Sequence, residues 1–354
     1  MPDNVAADPI EFPLKEARML VRDLGKPKPW IYWTDFLFHI ALGWTAFIAA
    51  LLAPSFSPLA VAAYFVASLC LYRAVIFTHE LSHLKKGTFR GFRLVWNILC
   101  GFPLMAPSFM YHGVHNDHHA RDIYGKTDDG EYLPFASQHP FKIIGYLLLI
   151  FILPIFFAAR FLILGPISWF APPLRRFIWE RASSLTIDLT YRRPPLSRRD
   201  DPTSFLQEFV TSIYAWIFAG LLIAGIIPAK LVILWYLVLL LVFLLNSLRT
   251  LAAHSYRNPG TQAMSVPEQF QDSVDVPGNM FVTALWAPVG LRYHATHHLF
   301  PSMPYHSLGT AYRKLLRQLP DNKPYLLATR MSLWNALATL WRDASRSVRT
   351  QGVE

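Results

Sequence analysis

The chain has only two cysteines, Cys70 and Cys100, among 354 residues, and both lie in apolar surroundings without metal or redox spacing. This excludes a disulfide framework and a cysteine-ligated iron–sulfur cluster, and both thiols read as packing residues. Charge is scarce as well: 16% of residues are charged and 53% hydrophobic, a balance that soluble chains rarely show. No Gly-rich dinucleotide fingerprint follows a strand-like run, and no fused haem module with its own histidine pair is evident, so redox chemistry here would draw its electrons from outside the chain. The opening stretch, MPDNVAADPIEFPLKEARML, puts acids and prolines before any hydrophobic run and lacks the basic and apolar regions of a cleaved signal peptide, so it is expected to stay cytoplasmic. Internal repeats and low-complexity segments are missing too.

What is present is hydrophobic length. Windows with little or no charge occur near 37 to 53, 57 to 72, 143 to 159, 161 to 174, 209 to 229 and 231 to 248. Several approach the roughly 20 apolar residues needed to cross a bilayer. The net charge of +10 sits at the ends of these windows, as in LKKGTFRGFR, RRFIWERASS and YRRPPLSRRDD. Such placement fits the positive-inside bias and contact with anionic lipid, and argues against nucleic acid as a partner.

Loop charges set the expected topology. The link at 53 to 58 is uncharged and the link between the last two windows has only Lys230, so both read as short external turns. Lys85, Lys86, Arg90 and Arg93 after the second window, and Arg249 and Arg257 after the last, read as cytoplasmic. A single crossing over 143 to 170 would put Arg175, Arg176, Arg181, Arg192, Arg193, Arg198 and Arg199 outside, so that stretch must cross an even number of times. Pro154, Arg160, Gly165 and Pro166 interrupt it, which suits a re-entrant or interfacial helix pair. The expectation is an all-α integral membrane fold of four transmembrane helices in two hairpins, with six spans as the alternative, and a cytoplasmic helical cap. Pro194, Pro195 and Pro202 mark a polar linker between the hairpins. The whole chain, 1 to 354, reads as one unit: an N-terminal segment 1 to 34, a core 35 to 315 and a C-terminal segment 316 to 354. Both termini and the active site are expected on the cytoplasmic side of a bacterial inner membrane.

Thirteen histidines occur, and most are grouped: His79 with His83; His112, His115, His118 and His119; His254; and His294, His297 and His298. His39, His139 and His306 stand apart. On helices, positions i, i+3 and i+4 are neighbours, so each cluster is expected to present its imidazoles from one helical face. All clusters fall at or beyond the cytoplasmic ends of spans, where they can converge. A single zinc takes three or four protein ligands, so nine histidines overfill one zinc and fit two metals at four or five nitrogens each. Imidazole suits iron, zinc and copper alike, and spacing does not choose among them.

HELSH, HNDHH and HATHHLFPSMPYH, with His254 just past a span, resemble the three histidine boxes of membrane fatty acid desaturases and their hydroxylase relatives. The likeness covers roughly 35 to 315 and is strongest to the acyl-lipid desaturases, because three residues separate the histidines of the first box. It implies a non-haem centre of two iron ions that uses O2 and two electrons to attack an unactivated C–H bond. By position, the implied ligands are His79 and His83, then His115, His118 and His119, then His254, then His294, His297 and His298. His112 is expected as a tenth ligand or as an outer hydrogen-bonding group. Where acyl-CoA relatives carry an Asn one turn before the lone histidine, this chain has Thr250.

Neutral imidazoles leave two metal ions uncompensated, so carboxylates are expected to orient the rings by accepting N–H bonds. Glu80, Asp117, Asp122, Asp128 and Asp129 are the candidates. The expected substrate is a membrane lipid or acyl chain, and the expected electron donor an external ferredoxin or cytochrome docking on the basic face. Desaturation is favoured over hydroxylation or carotenoid ketolation, on the LFPSMPYH continuation. From another class, His79-Glu80-x-x-His83 alone is the signature of an intramembrane zinc protease, but that reading leaves six further clustered histidines unexplained and finds no Asp-Gly pair in a later span. A metal transporter would need ligands along a path through the bilayer rather than at one face.

Overall fold

The computed structural model describes residues 12 to 85, 87 to 195 and 202 to 351, so the expectations for residues 1 to 11, Lys86, Arg198 and Arg199 lie outside the described residues. Four helices are long and apolar enough to cross a membrane: Pro29–Leu52, Pro58–His83, Ser204–Ile223 and Ala229–Ala253. At 24 residues the first is roughly 36 Å long, more than the roughly 30 Å of a hydrocarbon core. Proline opens each of the first two helices, where its missing N–H costs nothing, and Ser57 caps the second by accepting from the Ala60 N–H at 3.2 Å. Gly43 lets the two helices approach, since a Cβ there would lie 3.0 Å from Leu71 Cγ. The pair also shares an ion pair, with Arg73 Nε donating to Asp35 Oδ1 at 2.7 Å, and Tyr305 O–H joins Asp35 Oδ2 at 2.7 Å. Paired in this way, the two charges are tolerable among apolar helices.

The expected four spans are therefore present. The stretch that allowed a six-span alternative forms a bent pair, Phe141–Phe151 and Leu153–Ser168, with a 48° angle between its halves. Pro154 sits at the start of the second half, where it ends the preceding helix. Arg160, fully buried, ties this pair to the third span: its Nη2 donates to Glu208 Oε2 at 2.6 Å and its Nε to the Ala182 carbonyl at 2.8 Å. Arg175 Nη1 and Trp169 Nε1 both donate to Glu208 Oε1.

Two arginines used as topology signals prove to be internal. Arg193 is 2% exposed, stacks 4.3 Å over the Trp179 ring and donates to the Phe109 carbonyl at 3.1 Å. Arg249 lies inside the fourth span, buried, bonded to Asn246 Oδ1 at 2.9 Å. Their guanidinium groups satisfy buried carbonyl and amide oxygens, a role that loop-charge counting does not see.

The remaining described elements form a helical cap at the histidine-bearing ends of the spans. Phe109–His118 packs on the second span, and Val266–Asp272, His294–Leu299 and Tyr305–Gln318 follow the fourth. The described residues contain no strand, only isolated bridges that pair His254 with Ser273 and Asp275 with Tyr293 and Thr329. These bridges tie the lone histidine to the 273 to 275 segment, and that segment to the residue just before the last histidine cluster and to Thr329.

Candidate metal centre

Nine of the ten clustered histidines meet in two groups. His79, His83, His115, His119 and His297 form one, and His118, His254, His294 and His298 the other; within each, the ligand-capable nitrogens all lie within 4.8 Å of one another. The rings of His119 and His298 stack at 4.4 Å, so the groups are neighbours. His112 joins neither group; its Nε2 lies 3.4 Å from Asn116 Nδ2, one turn along the same helix.

The sharing is crossed. His115 and His119 go to the first group and His118, between them, to the second; His294 and His298 go to the second group and His297 to the first. Residues four apart on a helix nearly eclipse, whereas adjacent residues diverge by about 100°. These two clusters thus bridge the two groups: each presents its imidazoles from one helical face, as expected, and the spread of about 100° across that face reaches both neighbouring groups. His79 and His83, i and i+4 at the end of the second span, both serve the first group. His254, the first residue after the fourth span, turns to an extended backbone and enters the second.

The nitrogen spacing fits metal coordination. His83 Nε2 lies 2.8 Å from His115 Nε2, and His119 Nε2 lies 3.1 Å from His297 Nε2. In the second group His294 Nε2 lies 2.9 Å from His254 Nε2 and 3.1 Å from His298 Nε2. Ligands at a metal–nitrogen distance of about 2.1 Å sit about 3.0 Å apart at right angles and about 3.4 Å apart in a tetrahedron. The observed pairs match the right-angle geometry of higher coordination. Both ring nitrogens of His79, 2% exposed, have no hydrogen-bond partner among the described residues. A buried imidazole left so is costly unless a metal takes one nitrogen.

Outer partners orient the rings. Asp129, fully buried, faces His118 Nδ1 at 2.8 Å and is itself held by the N–H groups of Gly125 and Glu131. Glu131 Oε2 lies 3.1 Å from His115 Nδ1, and Tyr111 O–H approaches the same nitrogen at 3.0 Å. Tyr124 O–H lies 2.9 Å from His254 Nδ1 and 3.2 Å from Asp272 Oδ2, forming a His–Tyr–Asp chain. An Nδ1 proton held outward leaves the Nε2 lone pair facing the centre. Asp275 accepts from the N–H and O–H of Thr296, and so anchors the first turn of His294–Leu299, whose amides lack helical partners.

Burial, reinforced by neighbouring imidazoles, holds His115, His119, His254, His294, His297 and His298 well below the ordinary imidazole value, in the neutral form that binds metals. Burial acts the same way on His118, but the Asp129 carboxylate outweighs it and the net direction is upward. Burial pushes the carboxyls of Glu131 and Asp275 up to about 7.

Of the five carboxylates expected to serve the rings, Asp129 does so. Glu80 comes close: its Oε1 lies 3.6 Å from His79 Nδ1, while its Oε2 accepts from Tyr32 O–H at 2.5 Å and the Tyr305 N–H at 3.3 Å. Asp117 accepts instead from Tyr191 O–H at 3.3 Å, and Asp122 and Asp128 are exposed. Glu131, Asp272, Asp275 and Tyr124 were not anticipated. Glu131 lies two residues past Asp129 in TDDGEY and was within reach of the same reasoning, whereas Asp272 and Asp275 give no local signal. Thr250 offers its carbonyl to Tyr256 O–H at 2.8 Å, and Tyr124 is the residue that meets His254.

The family model for fatty acid desaturases matches residues 55 to 330. A ceramide hydroxylase of Caulobacter vibrioides (strain NA1000 / CB15N) is 38% identical over 328 residues, covering 93% of this chain and 93% of that protein. The histidine clusters, the four apolar spans and this extended similarity lead to one conclusion: the chain belongs to the fatty acid desaturase family of membrane lipid-modifying enzymes.

Proposed function

We propose that this protein is a membrane-bound, di-iron, O2-dependent hydroxylase of ceramide-class lipids. The observation that supports the metal chemistry is the crossed sharing of nine histidines between two adjacent groups, five and four, with right-angle nitrogen spacing. The substrate class and the choice of hydroxylation rest on the relative, a ceramide hydroxylase that aligns over almost the whole chain. Sequence reasoning favoured desaturation; the two outcomes diverge only after the first C–H bond is attacked, and the LFPSMPYH stretch does not separate them.

In this reading each histidine group holds one iron, and the pair, when bound, supplies the oxidising power for C–H attack by dioxygen. The chain's own residues do the rest. Asp129 and Glu131 keep the Nδ1 protons of His118 and His115 outward, the Tyr124–Asp272 pair does so for His254, and burial keeps water off the reacting carbon. The overall change replaces C–H by C–OH, consumes one O2, two electrons and two protons, and releases one water. The electrons come from an external donor such as a ferredoxin or cytochrome, docking on the basic surface beside the cap. That surface, with both termini and the metal centre, is assigned to the cytoplasmic side by the positive-inside bias of Lys85, Arg90 and Arg93 next to His83.

The test is expression in a ceramide-containing host, lipid mass spectrometry and metal analysis of the purified protein. Ceramides heavier by one oxygen with about two irons per chain are expected. Lipids lighter by two hydrogens would assign desaturation instead. Unchanged lipids with one zinc per chain would return the protease reading, against which the sharing of His79 and His83 with three further histidines already counts.

A further inference from the structure

A cleft of about 520 Å3 opens beside the metal centre, between the 125 to 135 loop, the start of the bent helix pair, the 187 to 190 segment and Pro259–Gly260. Its volume is that of a small-molecule site. The loop forming one wall also carries Asp129 and Glu131, which hold the two histidine groups. Tyr132 lines the cleft, with its ring 6.1 Å from that of His254 and its hydroxyl accepting from the Asn258 N–H at 3.0 Å. One aromatic ring therefore separates the cleft from the second histidine group.

The lining is mixed. Leu133, Phe135 and Leu149 are apolar, whereas Lys126, Lys142 and Gln138 are not. Neither lysine has an ion-pair partner among the described residues. Lys142 is exposed and Lys126 half-buried, the one carboxylate in the lining, Asp188, already accepts from the Thr190 N–H and O–H, and a hydrocarbon chain would offer neither ammonium an acceptor. An ammonium only donates, so a suitable occupant must bring acceptor oxygens next to an apolar stem. Resting on the lipid-hydroxylase reading, we propose that the cleft binds the amide- and hydroxyl-bearing polar end of the lipid substrate, and that the oxidised carbon accordingly lies within the first few carbons of that end. Anchoring the polar end one ring from His254 leaves little chain to bridge, whereas a mid-chain carbon would have to come from elsewhere.

Gly145 provides a direct test. It lines the cleft on the exposed face of the helix Phe141–Leu148, and a Cβ built there meets nothing within 4 Å, so the backbone accepts a side chain at this position. Gly220, on the third span, is equally open and lies outside the cleft, which makes it the control. Purified iron-loaded protein in lipid nanodiscs is titrated with a fluorescent short-chain ceramide. Gly145→Trp is expected to raise Kd at least about tenfold, Gly145→Leu less, and Gly220→Trp not at all, with iron content unchanged in all three. The graded response separates blockage from misfolding. Fragmentation of the wild-type product is expected to place the new hydroxyl near the polar end. Unchanged affinity in Gly145→Trp, or a hydroxyl in mid-chain, overturns the cleft assignment alone. Wild-type protein that leaves ceramides unoxidised overturns the reading on which it rests.

Discussion

Replacing Asp129 by Asn changes one atom of a buried side chain and tests how the second histidine group is held. Asp129 Oδ2 accepts from His118 Nδ1 at 2.8 Å and from the Gly125 N–H at 2.8 Å, while Oδ1 accepts from the Glu131 N–H at 3.0 Å. An amide keeps one acceptor oxygen but turns the other into a donor. Kept at Oδ1, the oxygen leaves an NH2 facing two N–H groups; flipped, it serves those two and abandons Glu131. Each buried donor left unpaired costs about 1–3 kcal/mol. Loss of a hydrogen-bonding partner behind a metal-bound histidine typically costs about 10–100-fold in metal affinity or activity, or roughly 1.4–2.8 kcal/mol. Asp129 meets His118 directly and reaches the first group only through the Glu131 N–H, so the larger loss should fall on one metal. Under graded chelator, iron in Asp129→Asn is expected to fall from about two toward about one per chain at a chelator level that spares the wild type, with turnover down at least about tenfold. Asp128→Asn, its exposed neighbour, should behave as wild type. Retention of both irons by Asp129→Asn at every chelator level that the wild type withstands would refute the role given to this carboxylate.

Alanine at His118 or at His297 should abolish product while leaving the protein in the membrane fraction, since each removes a nitrogen from a different group; full activity in either variant, measured by lipid mass spectrometry, would sink the assignment. Glu208→Ala should destabilise the protein by about 3–5 kcal/mol, because it strands the buried Arg160 guanidinium and frees Arg175. A thermal-unfolding midpoint equal to wild type would count against that ion pair as the tie between the bent helices and the third span. Gly43→Leu should force the first hairpin apart at Leu71, at a cost of about 1–3 kcal/mol. Its yield after detergent extraction is expected to drop, and a normal yield would show that the helices can separate freely there.

Much of this architecture is written locally. Apolar length marked six candidate windows, because a bilayer rewards each long apolar helix independently of its neighbours, and loop charge with the breaks at Pro154, Arg160, Gly165 and Pro166 reduced them to four spans in two hairpins. The histidine spacing was also local: i, i+3 and i+4 within HNDHH and HATHH marked the ligand-capable residues, and all nine converge. The same spacing stops short of the next step. It places each cluster on one face but does not say that the turn of about 100° between His118 and His119 sends them to different groups.

What the sequence by itself determined was the class of protein, the helices and the identity of the clustered histidines, since each follows from neighbours within a few residues along the chain. Only the tertiary structure decided which histidine joins which group, which carboxylates stand behind them and which arginines are interior. Asp272 reaches Tyr124 from 148 positions away, and Glu208 reaches Arg160 across 48. Contacts of that range arise when separate helices pack, and no local pattern of residue types encodes the angle at which two helices meet.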